Sequence, residues 1–335
     1  MVKVFVFVIL FLGYFGQVSK GQNAVGSQDV SSLVNVFLGT SGDHGQLSPA
    51  ASYPFSMLSI GPQTYPKLHA GYEYEAKRFL GFTHNRIEGV GCQGSGGNLL
   101  IKPFLGTDYR QELIKTSQAA SPGYYRVDFT NKITAEMAVF EKMGLHRYQL
   151  PKGEKGLFID LAHTLANKFV AEEHQVSGNI VSGWVEAKTT CNVGTYKVYY
   201  HLEFDKDAII KPLGKHQLIA TLPTASIQTI IKVGLSSVST AYAKSTLKNW
   251  NFDRLKSEST QGWNEALGKI KVQGDQERKK LFYSLLYRTL QSPYVISEPD
   301  GTFTATDGKV KKTNSPRYNG WAIWDNYRTQ LPLLS

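Results

Sequence analysis

A segment near the end of the chain, WDNYR (324–328), combines residue types that commonly bind sugars. Trp324 can stack on the apolar face of a sugar ring, and the carboxylate of Asp325 can accept hydrogen bonds from sugar hydroxyls. Arg328 follows Asp325 by three residues, a spacing at which an ion pair can hold the carboxylate in place. The alternative is a helix that packs Trp324 into the core and exposes an ordinary ion pair. The residues alone leave both interpretations open.

A glycine-rich stretch from Asn35 to Asn98 is the second candidate for a binding surface. It mixes glycines, small residues and aromatics with three histidines, His44, His69 and His84. Ordered glycines usually serve a close backbone approach or a positive φ, and loops on a rigid scaffold often carry binding residues. The alternative is a turn-rich all-β surface. A histidine in such a loop can equally be a structural hydrogen-bond donor or a ligand contact.

Common catalytic signatures are absent from the sequence. It contains no Gly-x-Ser-x-Gly, Walker loop, dinucleotide fingerprint or His-Glu-x-x-His, and no two histidines lie four apart to clamp a metal. Glu73 and Glu75 lie two residues apart, as do Asp205 and Asp207. Surface charge is the favoured interpretation of both pairs, because the acid and base of sugar hydrolysis must be separated across a pocket.

The first 21 or so residues resemble a signal peptide rather than part of the fold. Lys3 precedes a short apolar run, Val4–Phe15, and Ser19 and Gly21 are small residues spaced for cleavage before Gln22. A membrane anchor is the alternative, but a spanning helix needs about 20 apolar residues and this run is shorter. We therefore expect a secreted or periplasmic protein with no membrane segment after cleavage.

Charge and cysteine content narrow the function classes further. The net charge is +10, but the basic residues are scattered and form no helix or strip that would suggest nucleic acid. A solvated surface explains the charge better. The two cysteines, Cys92 and Cys191, are too far apart in sequence for a metal knuckle or a redox pair. An exported protein permits a disulfide between them, and two buried free thiols are the alternative.

Strand-like segments fill the chain from Val30 to about Gly234. They are short, rich in β-branched and aromatic residues, and separated by turn-forming residues. Many such segments at short spacing favour a β-sandwich over βαβ units. In one of them, alternation predicts that the side chains of Tyr196, Val198 and Tyr200 lie on a buried face of the strand. The side chains of Lys197, Tyr199 and His201 should then lie on the solvent-exposed face.

The apolar period becomes helical after Ser239. Asn251 is a candidate N-cap of one helix, and Asp275 suits the N-terminal end of a second amphipathic helix. The apolar positions of the second helix are Leu281, Phe282, Leu285, Leu286 and Leu290. The last segment, YNGWAIWDNYRTQLPLLS, is typical of the start of a helix. Its apolar end leads us to expect that the natural protein continues past Ser335.

Several segments together resemble glycoside hydrolase family 92, a family of secreted, exo-acting α-mannosidases. No single segment is specific, but their order and spacing span nearly all of the mature chain. The matching segments are VNVFLGT (34–40), DHGQLSPAASYPFSMLSIGPQT (43–64), GYEYEAKRFLGFTH (71–84), GVGC (89–92), WNEALGKIKV (263–272), FYSLLYRTLQSP (282–293) and YNGWAIWDNYRTQLPLLS (318–335).

The resemblance implies a mainly β fold. An N-terminal β-sandwich domain (22–239) would follow the signal peptide (1–21), with linker helices (240–298) and then the first helix of an incomplete (α/α)6 barrel (299–335). Members of the family remove terminal α-linked mannose from glycans with inversion and use calcium. Their acid, base and calcium ligands lie mainly in the barrel domain. We therefore expect these residues outside this chain, which would be inactive without its missing C-terminal domain.

The resemblance also implies roles for individual residues. Asp325 matches the aspartate of the family's Trp-Asp motif, which hydrogen-bonds the terminal mannose, and Trp324 and Arg328 lie beside it. His84 matches the first histidine of a Gly-Phe-Ser-His segment, and His44 falls in the early Gly-His segment. These five residues are the predicted substrate-binding set.

Four departures from the commoner family pattern bear on linkage preference: Arg86 replaces a histidine, Glu88 a serine, Val90 a threonine and Gln46 a second histidine. Two other functions remain open at this stage. One is a non-catalytic carbohydrate-binding β-sandwich, and the other is an interaction sandwich with no role in sugar binding.

Overall fold

Antiparallel strands make up most of the chain between Ala51 and Ser236. The computed structural model describes residues 29–42, 47–65, 70–86, 94, 96–320 and 326–335. One hydrogen-bonded path runs through thirteen of the strands, and two more strands are attached beside it. Its two halves form the two layers of a sandwich, so the predicted mainly β fold is confirmed.

The strands of the two layers have the following bounds. The first layer contains β1 (Ala51–Ser52), β2 (Ser59–Tyr65), β3 (Arg78–His84), β4 (Asn98–Leu105), β9 (Lys155–Asp160), β13 (Ile209–Gly214) and β14 (Gln217–Thr221). The second contains β5 (Leu113–Ser121), β6 (Tyr124–Phe129), β7 (Thr134–Phe140), β8 (Met143–Gln149), β10 (Phe169–Ser177), β11 (Ile180–Lys188), β12 (Thr195–Phe204) and β15 (Gln228–Ser236). The order of the strands along the path is β10-β11-β12-β15-β8-β7-β6-β5-β3-β4-β9-β14-β13, with β1 and β2 attached beside β3.

Helices and two small hairpins follow the sandwich. The helices are α1 (Thr240–Ser245), α2 (Phe252–Leu267), α3 (Gln276–Thr289) and α4 (Gln330–Leu334). The hairpin strands are β16 (Tyr294–Val295) with β19 (Tyr318–Asn319), and β17 (Thr302–Thr304) with β18 (Val310–Lys312). The change from strands to helices falls between Ser236 and Thr240, where the sequence predicted a change of period.

A single apolar cluster fills the space between the two layers. The first layer contributes Ile60, Phe82 and Ile159, and the second contributes Met137 and Val233, all of them fully buried. Because both layers send alternate side chains into this core, neither sheet face could be stable alone.

The two layers are joined differently at their two ends. At one end β3 pairs directly with β5, so backbone hydrogen bonds connect the layers. At the other end side chains make the connection: Glu172 of β10 accepts from His216, between β13 and β14, at 2.7 Å and from His174 at 2.9 Å. The rings of Phe169 and His216 pack 5.3 Å apart beside this bridge.

Strand β12 confirms the predicted alternation at four of the six residues. Tyr196, which was expected on the buried face, is only half-buried. Val198 and Tyr200 are buried, whereas Lys197 and Tyr199 are only half-buried. His201 was expected on the wet face, but it is 5% exposed. Helix α1 packs against β12 and β15 and covers this part of the outer face. The prediction was wrong there because sequence alternation does not reveal which part of a sheet a later helix will cover.

The two long helices begin as the sequence predicted. The side chain of Asn251 accepts a hydrogen bond from the backbone N–H of Arg254 at 2.8 Å, and Asp275 accepts one from Arg278 at 2.9 Å. Each carboxylate or amide oxygen thereby satisfies one of the orphan N–H groups of the first turn.

The predicted apolar face of α3 is only partly correct. Tyr283, Leu286, Tyr287 and Leu290 form the buried stripe that packs in a second apolar cluster with α2. Leu281 and Leu285 lie four residues apart on another side of the helix, and each is 53% exposed. Tyrosines rather than leucines complete the buried stripe, which a count of aliphatic positions missed.

The N-cap of α2 offers a direct test of this local structure. We expect Asn251→Ala to lower the free energy of unfolding by about 1 kcal/mol, because the Arg254 N–H loses its partner. Urea unfolding measures this difference. Asn249→Ala, an exposed residue just before the cap, is the matched control and should change the value by less than about 0.5 kcal/mol. Equal effects of the two variants would contradict the capping role.

A buried ion pair fastens the sandwich to the segment that follows α3. Lys142, at the turn between β7 and β8, contacts the carboxylate of Glu298 at 3.0 Å and donates to the carbonyl of Ser297 at 2.9 Å. Ser236, at the end of β15, donates to the other oxygen of Glu298 at 2.6 Å. The Glu298 side chain is 0% exposed, so these partners replace its contact with water.

The structure also bears on the cysteines and the membrane prediction. Cys191 is disulfide-bonded, which contradicts the interpretation of this residue as a buried free thiol. Cys92 lies outside the described residues. Among the helices that the structure describes, none combines the length and the apolar character needed to cross a bilayer. The predicted signal peptide also lies outside the described residues.

Candidate functional site

The structure describes two of the five predicted substrate-binding residues. His44, Trp324 and Asp325 lie outside the described residues. Arg328 is exposed, and its Nε donates to the hydroxyl of Tyr327 at 2.8 Å. The proposed contact between Arg328 and Asp325 therefore stays a prediction.

His84 lies at the end of β3, fully buried, in a chain of polar groups between the two layers. Its Nδ1 lies 2.8 Å from the carbonyl of Leu99 and its Nε2 lies 2.9 Å from Nε2 of His146. The other nitrogen of His146 lies 2.9 Å from the hydroxyl of Tyr148.

These partners assign the tautomers of both rings. A carbonyl can only accept, so His84 carries its hydrogen on Nδ1 and accepts at Nε2. His146 must then donate from Nε2 and accept the Tyr148 hydroxyl hydrogen at Nδ1. With both imidazoles neutral, each ring nitrogen of His84 and His146 has a hydrogen-bond partner.

Burial keeps both histidines neutral. Desolvation lowers the pKa of His84 to about 4, against an ordinary value of 6.5, and it lowers the pKa of His146 well below that value. The nearby Arg86 and the neighbouring ring add to the effect by disfavouring a positive charge. This geometry favours a packing role for His84, and direct sugar contact by His84 stays a prediction.

Arg86, one of the four departures from the commoner family pattern, is buried two residues after His84. Its guanidinium donates to Thr83 at 3.0 Å, to the side chain of Gln63 at 3.1 Å and to the carbonyls of Pro62 and Ala70. It therefore ties β2 and β3 to the chain at Ala70. The guanidinium of Arg86 thus fixes this part of the first layer through two backbone and two side-chain acceptors.

Glu73 fastens part of the glycine-rich stretch. Its carboxylate accepts from the hydroxyl of Ser41 at 2.6 Å and from the N–H of Gly42 at 3.3 Å. The sequence interpretation of Glu73 as plain surface charge was therefore incomplete, because a carboxylate that receives two donors orders the segment bearing them.

Residues at the C-terminal end of α3 bind the chain on either side of two segments that contain predicted sugar-binding residues. These segments are 43–46, which includes His44, and 321–325, which includes Trp324 and Asp325. Arg288 donates to the carbonyl of Ser48 at 3.0 Å and to that of Leu38 at 3.3 Å, which lie on either side of residues 43–46. Ser292 donates to the carbonyl of Gly320, and Gln330 donates to the carbonyl of Thr289 at 2.8 Å. Gly320 and Gln330 in turn lie on either side of residues 321–325.

Sequence reasoning missed this arrangement. FYSLLYRTLQSP was recognised as a matching segment, but only its apolar positions were interpreted. A basic residue in the last turn of a helix is a usable signal, because it interacts favourably with the exposed carbonyls there. Which carbonyls it would reach depends on tertiary structure that the sequence pattern does not reveal.

A cleft of about 690 Å³ lies where the sandwich meets the segment after α3. The half-buried rings of Tyr53 and Phe55 line it together with the polar side chains of Glu141, Lys248 and Asn314. Glu141 and Lys248 pair at 3.2 Å, so their charges offset each other. Aromatic rings beside hydroxyl and amide groups suit a polyhydroxylated ligand.

The described residues provide no evident metal site. Within the ranges that the structure describes, no three His, Cys, Asp or Glu side chains come together in a way that could hold a metal ion. The expectation of calcium, with ligands mainly outside this chain, stays a prediction.

The chain belongs to glycosyl hydrolase family 92. Residues 33–217 match the sequence profile of the family's N-terminal domain, and residues 239–335 match that of its catalytic domain. The two matches together cover most of the chain, in the order that the sandwich and the helices follow.

Individual relatives agree with this assignment. A solved family 92 glycosyl hydrolase is 27% identical with a TM-score of 0.82, over 89% of this chain and 46% of that one. A family 92 α-mannosidase of Bacteroides thetaiotaomicron is 24% identical with a TM-score of 0.80, over 92% of this chain and 47% of that one, and shows the same fold. An uncharacterized secreted glycosidase of Arthroderma benhamiae is 23% identical over 79% of this chain and 42% of its own length. The chain spans less than half the length of these relatives.

Proposed function

We propose that this chain is the sandwich-bearing part of an inverting exo-α-mannosidase that removes terminal α-linked mannose from glycans. The observation that carries the proposal is the match of two consecutive family 92 domains to residues 33–217 and 239–335. A solved relative in complex with mannoimidazole is consistent with a mannose-like ligand in this family. Calcium is the proposed cofactor, with ligands outside the described residues.

The role of this chain in the reaction is to bind and orient the sugar. Inversion needs a carboxylic acid on the leaving oxygen and a carboxylate base on water, about 6.5–9.5 Å apart. We assign neither role to a residue of this chain and propose that both belong to the barrel domain. Asp325 is the proposed hydrogen-bond acceptor for the terminal mannose, with Trp324 against the sugar ring. The end of α3 fixes the chain on both sides of these residues.

The test compares the protein made from the complete gene with the 335-residue chain, using an aryl α-mannoside as substrate. We expect hydrolysis by the former and none by the latter. Asp325→Asn should reduce kcat/KM by about 10- to 100-fold, the effect of losing a hydrogen bond to a charged acceptor. Asp307→Asn, in an exposed turn where its carboxylate pairs with Lys311, is the matched control and should leave kcat/KM unchanged. Full activity of the 335-residue chain, or no hydrolysis by either protein, would overturn the proposal.

A non-catalytic carbohydrate-binding protein is the second candidate, and the cleft beside Tyr53 favours it. A cleft with aromatic walls and polar side chains could hold part of a glycan. Calorimetric titration of the 335-residue chain with mannose and short mannosides separates the two functions. Heat of binding without hydrolysis by the complete protein would favour this candidate. No heat together with unchanged tryptophan fluorescence would count against it.

We further propose that the mature protein acts outside the cytoplasm, either secreted or periplasmic, after cleavage near Gly21. The description of the Arthroderma benhamiae relative as secreted supports this localisation. The mannose-containing glycans of an extracellular surface would then be its partners.

A further inference from the structure

One guanidinium group connects α3 to two separate stretches of the glycine-rich segment. Nη1 of Arg288 donates to the carbonyl of Ser48 at 3.0 Å and to the side chain of Gln291 at 2.9 Å. Nη2 donates to the carbonyl of Leu38 at 3.3 Å and to that of Val36. The planar guanidinium of Arg288 therefore binds both the first stretch, residues 36–42, and the second stretch, residues 47–50.

The chemistry of arginine suits this geometry better than that of lysine. The five donors of a guanidinium point outward in a fixed plane, so one side chain can set the spacing between several carbonyls. An ammonium group on a flexible stem would satisfy the same acceptors without fixing their relative positions. The site also lies in the last turn of α3, where positive charge interacts favourably with the helix dipole.

Two further hydrogen bonds, at Ser284 and Leu290, hold the flanks of the segment. The hydroxyl of Ser284 accepts from the N–H of Asn35 at 2.8 Å, before the first stretch. The N–H of Phe55 donates to the carbonyl of Leu290 at 2.9 Å, after the second. Of the hydrogen bonds found among the described residues, those of Arg288 join both stretches to α3 through one group.

We propose that Arg288 is a positioning residue for sugar binding, which acts through the spacing of stretches 36–42 and 47–50. The inference rests on the proposed function, because the predicted sugar contact His44 lies between these stretches in the sequence. In this proposal Arg288 acts through the two stretches and not by touching the sugar. Loss of the guanidinium and its hydrogen bonds should loosen both stretches and weaken sugar binding, while the sandwich keeps its structure.

The experiment uses the protein made from the complete gene, with Arg288→Met and Arg288→Lys. Arg278→Met is the matched control, since Arg278 lies on the same helix with an 88% exposed side chain that pairs with Asp275. Hydrogen exchange in residues 36–50 should become at least tenfold faster in Arg288→Met and remain unchanged in Arg278→Met. Exchange in β6–β8 should stay as in the wild type, which shows that the variant is folded.

The second measurement is KM and kcat for an aryl α-mannoside. We expect KM to rise at least tenfold in Arg288→Met with a smaller change in kcat, and Arg288→Lys to recover part of the loss. Unchanged exchange in 36–50 would overturn the positioning role, as would faster exchange with unchanged KM. If the wild type hydrolyses no mannoside, the proposed function fails, and the exchange result still decides whether Arg288 fixes the two stretches.

Discussion

Lys142→Met is expected to lower the free energy of unfolding by about 3–5 kcal/mol, the usual cost of removing one partner from a buried ion pair. The substitution keeps an unbranched side chain of similar length but removes the charge opposite Glu298. That carboxylate is 0% exposed, so it would remain buried with Ser236 as its hydrogen-bond donor. Urea unfolding at neutral pH measures the loss.

Two further variants separate the ion pair from simple packing. Lys280→Met removes an exposed partner of Glu277 and should cost less than about 1 kcal/mol. The double variant Lys142→Met/Glu298→Gln removes both charges and should recover at least half of the loss. If the single variant Lys142→Met proves as mild as Lys280→Met, then the buried pair does not fasten the sandwich to the segment after α3.

Acid should destabilise the protein through the buried histidine pair. Unfolded histidines bind protons near pH 6.5, whereas the pKa of folded His84 is about 4. Between these values the unfolded state binds more protons than the folded state, so the free energy of unfolding falls as the pH is lowered. One pKa unit corresponds to about 1.4 kcal/mol, so His84 alone contributes a fall of about 3 kcal/mol from pH 6.5 to pH 4. Above about pH 7.5 both states are almost entirely neutral, so this contribution is then nearly constant.

The measurement is a series of urea unfolding curves between pH 4.5 and 7.5. The double variant His84→Gln/His146→Gln should lose most of this pH dependence, although it should be less stable at neutral pH. Glu136, whose pKa is held below its ordinary value of 4.5 by Arg147 and Tyr124, titrates below this range. Asn249→Ala, which removes no titratable group, is the control and should keep the wild-type slope. A wild-type slope in the double variant would show that other groups cause the acid sensitivity.

Much of the fold followed from the sequence because local periodicity and tertiary burial agree there. The strands before Ser236 and the caps Asn251 and Asp275 are examples. The errors arose where another element decides exposure. His201 is buried because α1 crosses its strand, and Leu285 is exposed because tyrosines fill the contact between α3 and α2.

The candidate site was less accessible to sequence reasoning than the fold. Residue chemistry pointed to Asp325 and Trp324, and the resemblance added His44, but all three lie outside the described residues. The structure instead reveals supporting residues, Arg288 and Ser292, whose partners are backbone carbonyls. Backbone acceptors carry no residue-specific signal, so neither motif nor spacing could have identified these contacts.

The side-chain bridge between the ends of the sheet has a consequence for self-association. A terminal strand exposes unpaired backbone groups, which another molecule can use to extend the sheet. In β13 the exposed positions include Lys211 and Pro212, and proline has no N–H to donate to an incoming strand. The bridge between the side chains of Glu172 and His216 lies between β10 and β13, the two end strands of the path. A strand from a second molecule would therefore meet the charge of Lys211, a proline without an N–H, and the Glu172–His216 bridge. These features disfavour edge-to-edge aggregation at this end of the sandwich.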